Sequence, residues 1–228
     1  MSGRLPDQHV RLPLSLQRWE SLALLHWRYP AQVLRGLVDP ELEVQEIDGS
    51  AWVGVVPFVT ADLRAPLVPA VPGWSTFPEV NVRTYVRTRD GVDGIWFLRV
   101  HCARRLVVAG FRALGLPYWH EPGRVEPSAG RVRYRTPAFR ATVRAGDAVE
   151  QDELLASLAG RWNAFMRRGG RLWRVPVEHE PWSLREAQVQ DLDVSLLGLA
   201  GLPLPYEPPL VHVGPRVHAR IGAPRPAA

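Results

Sequence analysis

Residues 79–87 read EVNVRTYVR, and this stretch alternates strictly between two kinds of side chain. In an extended strand, the valines lie on one face of a sheet and four larger, mostly polar side chains lie on the other. Those four are Glu79, Asn81, Arg83 and Tyr85. A solvated sheet surface is one interpretation of this polar face. The other is the lining of a cavity, where a carboxylate, an amide, a guanidinium and a phenol orient a ligand by hydrogen bonds.

The next predicted strand covers residues 95–102. We predict the register in which its apolar side chains lie beside the valines of 79–87, because a slip of one residue would mix the two faces. Those apolar side chains are Trp96, Leu98 and Val100. The polar side chains of both strands then form one cluster, composed of Glu79, Arg83, Arg99 and His101. Such a cluster perturbs the pKa of a carboxylate or an imidazole, both in a binding site and in a structural ion-pair network.

The remaining sequence predicts a β-rich α+β fold, an antiparallel, closed or half-closed β-barrel with a few short flanking helices. Further strands are predicted at 41–47, 51–59, 131–144, 170–179, 210–213 and 216–221. Helices or helical turns are predicted near 30–38, 103–114, 152–160 and 183–199. Asp48 and Gly49 predict a two-residue turn that joins 41–47 to 51–59 in a hairpin. The nearly continuous apolar run at 51–59 predicts a strand that is buried on both faces.

The chain of 228 residues, 46% of them apolar, is long enough for one domain with a substantial core. We assign this domain to residues 14–221. The segments 1–13 and 222–228 contain few large apolar side chains, so we expect both ends to be flexible. The oligomeric state stays open, a homo-oligomer included.

Arginine supplies all 28 basic residues, because the sequence contains no lysine. This excludes an imine formed through a lysine amine. The single cysteine, Cys102, can form no disulfide within the chain, and the beginning of the sequence lacks the apolar core of a signal peptide. No apolar stretch approaches the roughly 20 residues of a membrane-spanning helix. We therefore expect a cytoplasmic protein that has no membrane partner.

Several chemistries lack a starting motif in this sequence. It contains no cysteine cluster, no closely spaced histidine pair of the zinc-site type, no phosphate-binding loop and no dinucleotide-binding glycine motif. We therefore predict neither a metal nor a cofactor. The net charge is only +5, and the arginine-rich stretch 167–171 occurs once and is typical of a solvated turn. We predict no nucleic-acid partner.

Two histidine motifs have more than one interpretation. His26 is either a buried imidazole bound to a backbone carbonyl or a cavity-lining group, and the sequence supports both equally. The stretch 179–182 reads HEPW and is typical of the end of a strand. We interpret it as structural, with Trp182 closing one end of the fold.

Five stretches resemble the YqjF-like uncharacterised family, a domain of unknown function in the acetoacetate-decarboxylase-like superfamily. They are HW at 26–27, DGSAWVGVVPF at 48–58, FPEVNVRTYV at 77–86, LPY at 116–118 and HEPW at 179–182. They occur in the order that the family has. The resemblance implies the β-barrel or cone fold of that superfamily with an internal cavity, and it favours the cavity interpretation of the polar face.

The same resemblance implies which chemistry has been lost. The decarboxylases carry a Pro-Lys-Lys motif whose first lysine forms an imine with the keto substrate. In this sequence, Tyr118 and Trp119 follow Pro117 at the matching place, and neither side chain can form an iminium. Glu79 matches the position of a pocket glutamate in those enzymes and is the candidate catalytic residue. A second acidic position of the enzymes falls near Gly54 and is not carried over.

We therefore predict a protein that binds a small organic ligand, anionic or carbonyl-containing, without Schiff-base decarboxylase activity. The predicted pocket residues are Glu79, Asn81, Arg83, Tyr85, Arg99, His101, Tyr118 and His26. One alternative is an enzyme of the lyase or hydratase type that uses Glu79 and a nearby histidine as general acid and base on a carbonyl substrate. A second alternative is a protein-interaction module, which an exposed polar face at 79–87 would favour.

Overall fold

The computed structural model describes residues 4–227. Residues 1–3 and 228, which belong to the two ends predicted to be flexible, lie outside the described residues. Strands make up most of the described chain. They are β1 (Pro13–Glu20), β2 (Leu22–Tyr29), β3 (Leu42–Val44), β4 (Ala51–Arg64), β5 (Phe77–Thr88), β6 (Asp93–Cys102), β7 (Tyr118–His120), β8 (Arg124–Ser128), β9 (Arg131–Arg135), β10 (Arg140–Ala148), β11 (Asn163–Arg168), β12 (Arg171–Glu178), β13 (Arg185–Asp193), β14 (Leu210–Gly214), β15 (Val217–Gly222) and β16 (Arg225–Pro226).

The helices are short. They are α1 (Ala31–Arg35), α2 (Arg105–Ala113), α3 (Glu153–Ala159) and α4 (Ser195–Leu199). The predicted β-rich α+β class with a few short helices is confirmed. Within residues 4–227, no helix combines the length and the apolar character that a membrane span requires.

Seven strands are joined edge to edge by backbone hydrogen bonds into a closed ring. Their order is β1, β4, β5, β6, β11, β12 and β15. The long strand β4 closes the ring, because it pairs with β5 over Val53–Thr60 and with β1 near its C-terminal end. Strand β6 runs parallel to both β7 and β11. The sheet is therefore mixed, and the prediction of an antiparallel sheet is wrong at β6.

A second group of strands covers the outer face of β2, β4 and β5. Strand β14 pairs with β2 and is followed in the sheet by β13, β10, β9 and β8. Val53 and Val82 from the ring pack with Tyr134, Phe139 and Val143 from this outer group in one hydrophobic core. Strand β4 is consequently buried on both faces over its first eight residues, as its apolar run predicts.

Two predicted local structures differ from those in the structure. Asp48 and Gly49 have positive φ angles of 53° and 71° and form the predicted turn, but the hairpin is wrong, since β3 pairs with β5. Residues 185–193 form strand β13, and only 195–199 are helical. In β13, Ala187 and Val189 alternate with polar residues and pack on the core, which is the pattern of a strand.

Strands β5 and β6 form the predicted antiparallel pair. The predicted register holds where Trp96 lies opposite Thr84, but it is wrong at Arg99 and His101. His101 lies opposite Val80, and Arg99 lies opposite Val82. The cause is a bulge at Leu98, which has no partner residue on β5. An extra residue in one strand changes which side chains share a face. Both polar side chains of β6 are therefore placed on the face of the valines, away from the polar row of β5.

The segment before β1 lies along β12 and β15. Val10 is buried, and its backbone N–H donates a hydrogen bond to Oε2 of Glu178 at 2.7 Å. The carbonyl oxygen of Val10 accepts hydrogen bonds of 2.9 Å and 2.7 Å from Arg220. At the other end of the chain, β16 pairs with β12. Both terminal segments thus contact the ring.

Gly94 lies where β6 meets β11, and the space around it is filled. A Cβ atom on this residue would lie 2.5 Å from Cε2 of Phe165 and 2.7 Å from the carbonyl oxygen of Asn163. We expect Gly94→Ala to lower the free energy of unfolding by about 1–3 kcal/mol, the usual cost of overpacking. Urea denaturation measures this change.

The matched control is Gly110→Ala in α2, where a Cβ atom meets nothing within 4 Å. Alanine has the higher helix propensity, so this variant should be more stable than the wild type by up to about 1 kcal/mol. Equal stability of Gly94→Ala and the wild type would contradict the close approach of β6 and β11.

Candidate functional site

A cavity of about 320 Å³ lies inside the ring. Glu79, Asn81 and Arg83 of β5 line it, and Tyr118 of β7 joins them. Most of the remaining wall is apolar and comes from several strands of the ring. Examples are Val56, Phe58, Phe97, Met166 and Val177. A mostly apolar cavity of this size with a few converging polar groups is typical of small-molecule sites.

Glu79 is buried at the cavity wall and is only 7% exposed. Burial raises the pKa of its carboxyl to about 8, against a smaller lowering effect of the Tyr118 hydroxyl. That hydroxyl lies 3.4 Å from each of the two carboxyl oxygens. At pH 7, Glu79 is therefore mainly a neutral carboxylic acid, which can donate a hydrogen bond to a ligand oxygen.

Tyr118 reaches the cavity because β7 pairs in parallel with β6, which sets Tyr118 beside Val100. Its ring stacks on Phe111 of α2, with the centroids 4.6 Å apart. Burial and the neighbouring Glu79 raise the pKa of the phenol well above its ordinary value. Tyr118 thus keeps its proton at any physiological pH.

Arg83 and Asn81 present polar atoms without partners. Nε of Arg83 and Oδ1 of Asn81 are buried, and neither atom has a hydrogen-bond partner within residues 4–227. A buried polar atom without a partner costs about 1–3 kcal/mol. A ligand that carries both an acceptor for Arg83 and a donor for Asn81 would offset this cost.

Arg161 is a cavity residue that sequence reasoning missed. It follows α3 and lines the cavity with its guanidinium 5.0 Å above the ring of Tyr85. Its Nη1 donates a hydrogen bond of 2.6 Å to Gln45 and lies 3.7 Å from Asp93. Burial lowers its pKa to about 10, so it stays charged at pH 7. Arg83 and Arg161 together make the potential in this part of the cavity positive.

His26 and Tyr85 were predicted to line the pocket, and the structure places them behind it. Nε2 of His26 lies 2.7 Å from the hydroxyl of Tyr85, and neither residue lines the cavity. Gly54 leaves room for the pair, because a Cβ atom there would lie 3.1 Å from that hydroxyl. Burial lowers the pKa of His26 well below its ordinary value, so the imidazole is neutral. This pair supports the strand that carries Arg83.

Arg99 and His101 lie on the outer face of β6, so the prediction that they join the polar row of β5 is wrong. The bulge at Leu98 is the reason. Nε of Arg99 donates a hydrogen bond of 2.6 Å to Nε2 of His101. Nδ1 of His101 lies 2.7 Å from Oε2 of Glu121, and the guanidinium of Arg99 lies 4.4 Å above the ring of Trp119. These residues form a polar network outside the ring.

His179, which the sequence led us to interpret as structural, also lines the cavity. It follows β12, and its ring lies among the indoles of Trp19, Trp162 and Trp182 at centroid distances of 5.4, 4.6 and 4.5 Å. Nδ1 donates a hydrogen bond of 2.6 Å to the carbonyl oxygen of Glu180. Burial lowers the pKa of His179 to about 4. The ring is neutral at pH 7, with its lone pair on Nε2.

Comparison with known proteins identifies the family. The family model DUF2071, described as an uncharacterized conserved protein, matches residues 16–218. The chain belongs to this family. It is 30% identical over 227 residues to the uncharacterized protein YqjF of Bacillus subtilis strain 168, and the match covers 93% of each chain. The resemblance inferred from the five sequence stretches is thereby confirmed.

Solved structures with the same fold are similar to this DUF2071 protein at low sequence identity. Acetoacetate decarboxylase from Legionella pneumophila has a TM-score of 0.69 and 11% identity, covering 97% of this chain and 90% of its own. The enduracididine biosynthesis enzyme MppR in complex with pyruvate has a TM-score of 0.65 and 13% identity. The match covers 96% of this chain and 92% of the MppR chain. An acetoacetate decarboxylase-like enzyme from Sphingomonas wittichii RW1 has a TM-score of 0.63 and 14% identity. The match covers 94% of this chain and 93% of that enzyme's chain.

The DUF2071 chain contains no lysine at all, and Trp119 follows directly after its LPY stretch at 116–118. Tyr118 of that stretch faces Glu79 in the cavity. Trp119 lies on the surface and is 43% exposed. The chain therefore cannot form an imine through a lysine in this cavity, whatever ligand the cavity takes.

The neutral carboxyl of Glu79 makes the stability of this DUF2071 protein depend on pH. Its pKa is about 8 in the folded state against 4.5 for an ordinary glutamate. Between these values the folded state binds the proton more tightly than the unfolded state does. Stability therefore falls as pH rises through this window, by up to about 1.4 kcal/mol per pH unit.

In Glu79→Gln the buried group does not titrate, so we expect the variant to gain stability relative to the wild type as the pH rises from 5 to 8. Urea denaturation at several pH values measures this difference. Glu126→Gln, an exposed substitution on β8, is the control and should differ from the wild type by the same amount at every pH. Parallel curves for Glu79→Gln and the wild type would contradict a neutral Glu79.

Proposed function

We propose that this protein binds a small organic carboxylate or carbonyl compound inside its ring of strands, which serves as a ligand-binding β-barrel. The observation that carries the proposal is the set of buried polar groups on β5. Nε of Arg83 has no partner within the described chain, and the neutral Glu79 lies on the same wall. A guanidinium pairs with a carboxylate, and a carboxylic acid donates to a carbonyl oxygen.

The charges in the cavity favour an anionic ligand. Arg83 and Arg161 both line it, whereas Glu79 is neutral at pH 7 because burial raises its pKa to about 8. The carboxylate of Asp93 lies 3.7 Å from Arg161 and also accepts a hydrogen bond from Arg87. One positive charge of the cavity, that of Arg83, is thus left for the ligand to neutralise.

The relatives support a keto acid as the first ligand to test. MppR, which shares the fold, has been solved with pyruvate. The absence of lysine from this chain means that such a ligand would be held through hydrogen bonds and charge and not through an imine. We therefore propose non-covalent binding without Schiff-base decarboxylase activity.

The alternative of a protein-interaction module has less support. It would be favoured by an exposed polar face of β5, but Glu79 and Asn81 are 7% and 5% exposed. A cytoplasmic location stays part of the proposal. The single cysteine, Cys102, is buried and free, as is typical of proteins in a reducing compartment.

Thermal unfolding with pyruvate tests the proposal. A ligand that binds only the folded state raises its stability, by about 2.7 kcal/mol at a concentration of 100 times Kd. We expect pyruvate to raise the melting temperature of the wild type and expect Arg83→Gln to abolish the rise. Arg144→Gln, at an exposed position of β10, is the control and should retain it.

Sodium chloride at the same ionic strength separates specific binding from screening of surface charge. A melting temperature that does not respond to pyruvate or to other small carboxylates would overturn the proposal. An equal rise in Arg83→Gln and the wild type would remove Arg83 from the binding site.

A further inference from the structure

The cavity contains a hydrogen-bond acceptor in a fixed orientation, the imidazole of His179. Because Nδ1 donates to the carbonyl oxygen of Glu180, Nε2 carries the lone pair and is the nitrogen left for a ligand. It has no hydrogen-bond partner within residues 4–227. The rings of Trp19, Trp162 and Trp182 pack against the imidazole ring, with centroid distances of 5.4, 4.6 and 4.5 Å.

The cavity also contains a pair of neutral O–H groups, those of Glu79 and Tyr118. They lie 3.4 Å from each other and line the same cavity as His179. Two such donors in a buried site stabilise negative charge that develops on a carbonyl oxygen. Arg83 on the same strand as Glu79 can hold a carboxylate of the same molecule.

We propose that the cavity catalyses keto–enol tautomerisation of a small ketone or α-keto acid, with His179 as the base and Glu79 as the acid. The C–H bond next to the carbonyl group breaks, its proton passes to Nε2 of His179, and its electron pair forms a C=C bond. The π pair of the carbonyl group moves to the oxygen, which takes the proton of Glu79. The reverse step returns both protons, so the reaction needs no oxidant, reductant or co-reactant.

The protonation states of both groups suit this reaction at pH 7. The pKa of His179 is about 4 and that of Glu79 about 8, so the base is free and the acid is protonated. A base of similar strength removes a proton next to a carbonyl group where a phenol and a neutral carboxylic acid stabilise the oxygen. The titratable or charged groups that act on the two residues are Glu180, Arg83, Tyr118 and Cys102.

His179 has a route to solvent as well as to the cavity. It also lines a groove on the outside of the ring, together with Arg18, Glu178 and Arg220. A proton that Nε2 takes from the substrate can therefore exchange with water. In D₂O the reverse step then places a deuteron on the substrate carbon, so the reaction can be followed as deuterium incorporation.

Proton NMR of pyruvate in D₂O measures the exchange. We expect the wild type to replace the methyl protons of pyruvate by deuterium faster than buffer does, and expect His179→Gln and Glu79→Gln each to slow this at least about 100-fold. His120→Gln is the matched control, because His120 is exposed on β7 and does not line the cavity. Butanone and 2-oxobutyrate are run beside pyruvate.

A second variant and a pH profile separate chemistry from folding. His179→Phe keeps a ring among the three indoles but has no nitrogen, so it should be folded, bind pyruvate and not catalyse exchange. The wild-type rate should rise with pH through about 4 and fall through about 8, as His179 and Glu79 lose their protons. A purely structural role of His179 would not make the exchange rate rise with pH near 4. A rate without this rise would overturn the assignment of His179 as the base.

This inference rests on the proposed function. Saturation-transfer NMR with the same compounds detects binding independently of exchange, so it distinguishes a failure of catalysis from a failure of binding. Binding without exchange in the wild type would overturn the catalytic role and leave the binding function standing. Neither binding nor exchange with any of the three compounds would overturn both. Exchange that persists in His179→Gln and His179→Phe would remove the histidine from the mechanism.

Discussion

The structure is organised around the burial of a row of polar side chains on β5. Moving a carboxyl, an amide and a guanidinium out of water costs several kcal/mol unless each group finds a partner or loses its charge. Glu79 loses its charge, with the hydroxyl of Tyr118 at 3.4 Å from its oxygens. Arg83 and Asn81 retain atoms without a partner in the described chain. The fold therefore keeps polar atoms without partners in the wall of a cavity that is large enough for a small molecule.

The opposite face of the same strand keeps this polar row in place. Val80 and Val82 lie in the core between the ring and the outer strands, with Tyr134 and Phe139. A slip of one residue would turn these valines into the cavity and the charged groups into the core, so the register of β5 is strongly specified. Gly54 on the neighbouring strand adds to this precision, because any larger residue there would meet the Tyr85 hydroxyl.

The sequence predicted which side chains share the polar face of β5, but it did not predict that Tyr85 lies behind the cavity. It also missed the parts of the site that depend on pairing between strands. The alternation at 79–87 was sufficient to group Glu79 with Arg83, and the resemblance to a family placed Tyr118 near them. The pattern of apolar and polar residues does not indicate the bulge at Leu98, so Arg99 was assigned to the wrong face of the sheet. His179 could not be found by spacing, since only the ring brings a residue 100 positions away to Glu79.

The ionisation of Glu79 decides the charge of the cavity, the preference for an anionic ligand and the supply of a proton. A ¹³C NMR titration of the Glu79 carboxyl, assigned by its loss in Glu79→Gln, measures it directly. We expect a midpoint near the value of about 8 that burial produces. A midpoint at the ordinary value of a solvated glutamate, near 4.5, would contradict this expectation.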